Sequence, residues 1–194
     1  MKSTCAVLGS LLLLGAQPAH EQPAMTFFIT SAGSGNGANL GGIEGADKIC
    51  QTLAEAVGVK GVQWHAFLST INAKGTKVAE TVADLHSDNN KLNKENSLTE
   101  KGDMVNGRGD TPNQHDILTG SKLDGTAYVG EGYTNCDNWT GSEEGNARVG
   151  HHDRQGGGEN PTSWNSAHNS RGCSQANLVA TGGNGFFYCF GTAG

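Results

Sequence analysis

The densest run of chemistry-bearing side chains falls between Gly150 and His168, where His151, His152, Asp153, Arg154, Glu159, Asn160, Trp164, Asn165 and His168 share nineteen positions with little apolar material. Planar amides, carboxylates and a guanidinium are the groups that fix hydroxyls, and an indole supplies a flat apolar face, so the set suits a sugar. Acid–base work by His151 or His152 with Asp153 or Glu159 is a second chemistry that neutral pH allows. No GxSxG, free thiol or metal motif accompanies it, and the expectation is binding rather than catalysis.

Zinc is a third chemistry, with His115, His151, His152 and His168 as the imidazoles. The adjacent rings of His151 and His152 do not easily turn to one tetrahedral ion, and no HxxxH or HExxH spacing occurs. The reading is loop histidines that hydrogen-bond, with the metal left unassigned. A second polar cluster, Asn106 to Asp116, contains Arg108-Gly109-Asp110. So short a tripeptide arises often by chance, and the segment reads as a turn that braces the His151 loop rather than as an adhesion signal.

Composition narrows the partners. Thirteen Lys and Arg against 19 Asp and Glu give a formal charge of -6, with no basic field for a nucleic acid. Residues 1–19 have the form of a signal peptide, cleaved near Ala16 or Ala19. Their apolar stretch falls short of the ~20 residues that span a bilayer, so no membrane insertion is expected and the product is secreted or periplasmic. Cys5 leaves with this leader. Cys50, Cys136, Cys173 and Cys189 remain, which in an oxidising compartment read as two disulfides with three possible pairings.

The elements that must position these groups come from residues 25–194, read as a single domain. Met25 to Ser31 is a strand closed by glycines. Leu40, Ile43, Ala46, Ile49, Cys50, Leu53 and Val57 recur at helical spacing and stop at Gly58, which predicts an amphipathic helix with Cys50 on its buried face. Trp64 to Thr70 reads as a strand covered on both faces and central in its sheet. Val78, Val82 and Leu85 hint at a short helix or arm. Leu118 to Val129 and Gly132 to Trp139 hold short extended pieces, and Phe186 to Phe190 is a final aromatic strand. The polar, glycine-rich span between Trp139 and Phe186 reads as a long ordered loop.

Strand, cysteine-bearing helix, the WHAFLS strand, CDNWTG, a polar loop, Cys173 and FYCF follow one another in an order that resembles the C-type-lectin-like domains. The bacterial secreted branch, which shares its core plan with the endostatin domain, is the nearest likeness, with NLGGIEGADKICQ as a further local match. The resemblance implies an α+β fold of small mixed or antiparallel sheets with one main N-terminal helix and a long polar loop. It also implies nested disulfides, Cys50 with Cys189 and Cys136 with Cys173. Ligand binding by the Cys136 to Cys173 loop follows from it, with a carbohydrate or glycoprotein as ligand. The alternatives are an adhesin or envelope interaction module and a hydrolase built on His151 to Glu159. Calcium is the cofactor it implies, through Glu-Pro-Asn and Trp-Asn-Asp triplets. This chain has Glu159-Asn160-Pro161 and Trp164-Asn165-Ser166 instead, and the lost carboxylate weakens a site that needs six to eight oxygens.

Overall fold

The computed structural model describes residues 25–69, 92–128 and 134–193. The expected leader and the Val78 to Leu85 arm lie outside them. The elements run in the order β1 (Phe27–Ile29), α1 (Gly42–Ala56), β2 (Val62–Ala66), β3 (Asp116–Leu118), α2 (Cys136–Trp139), β4 (Arg148–His151), β5 (His168–Asn169), α3 (Gln175–Thr181) and β6 (Gly183–Ala193). The result is a mixed α+β architecture whose sheet is mostly antiparallel.

The last strand is the spine. β6 pairs antiparallel with β1, placing Phe28 opposite Cys189, and antiparallel with β2, placing His65 opposite Phe190. It pairs in parallel with β3, and β4 and β5 extend the sheet beyond that. Alternation along β6 sends Phe187 and Cys189 to one face and Phe186, Tyr188 and Phe190 to the other. The first face packs with Phe28, Trp64, Leu118, Trp139 and Val149, and the second with Ile29, Phe67, Ile117 and Trp164. Both faces are thus buried, which explains why FFYCF carries no polar alternation.

Helix α1 buries Ala46, Cys50 and Ala54, one per turn, and begins after Gly41 with both Gly41 and Gly42 at positive φ. It also corrects the expectation that the WHAFLS strand is central. Among the described strands β2 pairs only with β6. Its outward N–H groups are taken by the helix instead: Ala66 donates to Asp47 Oδ1 at 2.8 Å and Trp64 to Gln51 Oε1 at 3.2 Å. An edge strand capped by helix side chains buries its apolar residues as fully as a central one, so the pattern does not separate the two.

The disulfides join Cys50 to Cys189 and Cys136 to Cys173, closing separations of 139 and 37 residues. On chain entropy alone such loops contribute about 5 and about 4 kcal/mol. The outer bridge ties α1 to the spine. The inner one anchors α2, a single turn whose four residues all have positive φ, where extended chain was expected. An L-residue in that region costs roughly 1–2 kcal/mol. The turn is held by the bridge, by Trp139 Nε1 donating to the Ser69 carbonyl at 3.0 Å, and by Leu40 N–H donating to the Trp139 carbonyl at 2.8 Å. The span after Trp139 is not all loop, since β4, β5 and α3 lie within it.

Candidate functional site

Register assembles the site. Asp116 on β3 lies opposite His151 on β4, and Val149, two residues before His151, lies opposite His168 on β5. Side chains two apart on a strand share a face, so Asp116, His151 and His168 converge on one side of the sheet. The Asp116 side chain is 2 % exposed and that of His151 0 %, whereas His168 reaches solvent at 23 %.

Oδ1 of Asp116 stands 3.3 Å from His151 Nε2 and 3.6 Å from His168 Nε2, and the two imidazole nitrogens are 3.0 Å apart. The far nitrogens settle the tautomers. His151 Nδ1 lies 2.7 Å from the Pro161 carbonyl and His168 Nδ1 lies 3.1 Å from the Asn169 carbonyl. A carbonyl only accepts, so each Nδ1 carries a proton, and in the neutral form of either ring the lone pair is the one on Nε2, turned inward. Burial pushes the Asp116 carboxyl up, but the His151 and His168 imidazoles pull it down further, below its ordinary value. Asp116 in turn raises His168 above the ordinary histidine value, against the effect of burial.

His115 buttresses the centre. Its ring lies face to face with that of His151, centroids 4.4 Å apart and planes 10° from parallel. One nitrogen faces Asp116 Oδ1 at 3.2 Å and the other Asp153 Oδ1 at 3.3 Å. Asp153 also accepts from the N–H of Arg108 at 2.6 Å and of Gln155 at 3.1 Å. Burial works against its ionisation, but these donors outweigh it and hold the carboxyl well below the usual range. Two glycines close the outside. A Cβ on Gly156 would run into the His151 ring, and one on Gly158, at φ 93°, would press on His168.

The remaining residues expected at the site take other places. His152 turns away and donates from Nε2 to the Asn106 carbonyl at 3.2 Å, and its burial lowers its basicity. Arg154 donates to the carbonyls of Leu92 and Thr162. Trp164 is buried between Phe67 and Tyr188, with centroids 5.0 and 5.3 Å away, so its indole is core rather than an exposed platform. Asn165 is interior too: its amide donates to the Lys122 carbonyl at 2.9 Å and its oxygen accepts from Ser163.

Arg148 was not expected at the site and organises the loop from within. Its Nε donates to Ser166 Oγ at 3.0 Å, its Nη2 to the Ser166 carbonyl at 3.1 Å, and its Nη1 to Asn169 Oδ1 at 3.3 Å. The same Nη1 lies 2.8 Å from Glu159 Oε2. Calcium does not fit here. Oε2 of Glu159 and both oxygens of Ser166 face the fixed positive charge of Arg148, and the Asn165 amide is turned inward, which leaves too few convergent oxygens for the six to eight that calcium takes. Asn160 likewise donates inward, from Nδ2 to the Ser166 carbonyl at 2.8 Å. Tyr128, also unforeseen, lies half-buried beside this group with the Arg148 guanidinium 5.7 Å from its ring centre.

Asp116, Arg148 and Tyr128 sit outside the polar run, on short segments whose pairing is set by contacts distant in sequence. The one signal for Asp116 is its position beside His115, directly before the apolar Ile117-Leu118. Comparison with protein-family models and with curated proteins found no match to this chain.

Proposed function

We propose that the chain is an exported recognition module of C-type-lectin-like fold, binding a carbohydrate or glycoconjugate through the outer rim of the Cys136 to Cys173 loop. Two disulfides suit an oxidising compartment, and among the described residues no helix is long and apolar enough to cross a membrane. The nested bridges, the early helix and the spine made by the last strand support the fold reading.

The observation that carries the binding reading is the Glu159 carboxylate, 70 % exposed yet pinned from beneath by an Arg148 that is itself 5 % exposed. A surface acceptor held in one geometry loses little freedom when it takes a hydroxyl. Gln155, Thr162 and Asn169 are exposed on the same loop, and the half-buried Tyr128, with Lys122 and Arg148 each 5.7 Å from its ring centre, is the aromatic group beside it in place of Trp164. Hydrolysis has less support, because His151 and Asp153 are buried and committed to protein partners.

A glycan array probed with the oxidised full chain, with and without chelator, tests the proposal. Binding that falls at least tenfold in Glu159→Ala and Tyr128→Ala supports it. Absence of any glycan signal under both conditions overturns it.

A further inference from the structure

From the convergence of Asp116 Oδ1, His151 Nε2 and His168 Nε2, we infer that the chain binds a divalent transition-metal ion, zinc by its chemistry, through these three atoms. The inference is independent of the glycan reading.

Three lone-pair donors point at one another with no hydrogen between them in the neutral tautomers, because both Nδ1 protons are given to main-chain carbonyls. Such a group needs a cation among its members. The spacings suit a metal. Zinc–nitrogen bonds of about 2.0–2.1 Å in tetrahedral array set neighbouring ligand atoms about 3.3 Å apart, and the three separations here are 3.0, 3.3 and 3.6 Å. Neither carboxylate oxygen of Asp116 has a well-aligned hydrogen bond, although both are buried. A buried anion left so is costly unless a cation meets it.

The surroundings match what orients metal ligands elsewhere. An imidazole that ligates through Nε2 characteristically donates Nδ1–H to a carbonyl or carboxylate, which fixes tautomer and ring plane. Both His151 and His168 do so. His115 is a positioning residue and not a ligand. Its ring, stacked face to face on His151, lies in a plane nearly parallel to that of the ligating imidazole and holds it in place, although its Nε2 also lies 3.2 Å from Asp116 Oδ1. Its Nδ1 faces Asp153. The pairing of His151 with His168, seventeen residues on, removes the objection that neighbouring histidines do not share an ion, since His152 points elsewhere. An ion held by three protein groups takes a fourth ligand from water or solute. His168 is the member of the three that reaches solvent.

The competing occupant is an extra proton on His168, and the experiment separates the two. The oxidised full chain is stripped with chelator, then titrated with zinc by calorimetry at neutral pH and with cobalt by visible absorption. The expected result is one zinc per chain with micromolar or tighter affinity, and an intense absorption band of tetrahedral cobalt. His168→Gln, at a partly exposed position, should weaken zinc at least tenfold while the far-ultraviolet circular dichroism stays as in the parent. Asp116→Asn should do the same if it folds. A folded parent chain that takes up no zinc overturns the inference, as does uptake that His168→Gln leaves unchanged.

Discussion

The main-chain N–H of Arg108 donates to Asp153 Oδ2 at 2.6 Å across 45 positions of sequence, joining the Arg-Gly-Asp turn to the loop that carries His151. The turn is closed on itself by Asp110, whose carboxylate accepts from Gly107 N–H at 2.7 Å and pairs with Lys94. Its role is carried by backbone, with the Arg108 side chain exposed. Arg108→Ala should therefore change stability by no more than about 0.5 kcal/mol. Asp153→Ala strips a partner from buried His115 and from the N–H groups of Arg108 and Gln155, and should cost about 1–3 kcal/mol. Urea midpoints of the two variants against the parent decide this. A larger loss in Arg108→Ala than in Asp153→Ala would contradict it.

Acid stability follows from the same carboxylate. Its folded pKa lies below the unfolded Asp value of about 3.9, because the donors from His115, Arg108 and Gln155 overcome the effect of burial. The contribution is complete above that unfolded value and is lost as pH falls toward the folded one. Asp153→Asn should flatten the decline of stability below about pH 4, read as the urea midpoint across a pH series. A slope equal to that of the parent would show that Asp153 does not govern it.

Gly156 and Gly157 are neighbours with opposite expectations. A Cβ at Gly156 collides with the His151 ring, while one at Gly157 meets nothing within 4 Å. Gly156→Ala should cost about 1–3 kcal/mol through overpacking. Gly157→Ala should be neutral or stabilising by up to about 1 kcal/mol. Thermal unfolding checks the order, and zinc affinity in the calorimeter should fall only in Gly156→Ala.

Trp164 lies in the second core cluster, so its loss should appear first in folding. Trp164→Ala should destabilise by about 3–5 kcal/mol. Trp164→Phe should recover much of this and, under the proposed glycan reading, give the same array signal as the parent. Full stability with lost binding in Trp164→Ala would restore the indole as a ligand platform.

Sequence alone determined what local spacing and residue chemistry determine. The helical repeat ending in Cys50 to Val57, the aromatic run at Phe186 to Phe190 and the four cysteines Cys50, Cys136, Cys173 and Cys189 were each legible because a period, an apolar run or a count carries the information. Pairing Cys50 with Cys189 needed the likeness to a known fold, since four cysteines permit three arrangements. The polar loop was also found by composition, but composition does not tell inside from outside: Trp164, Asn165, His151 and Asp153 proved interior, while Glu159 stayed exposed. Only the tertiary structure decided the centre. It depends on strand register, Asp116 opposite His151 and Val149 opposite His168, in strands of two to four residues too short to show a period. A slip of one residue would have turned these side chains to the other face. The same packing, through Gly156 and Gly158, brings the loop down onto both histidines, making one site of residues that the chain keeps up to 52 positions apart.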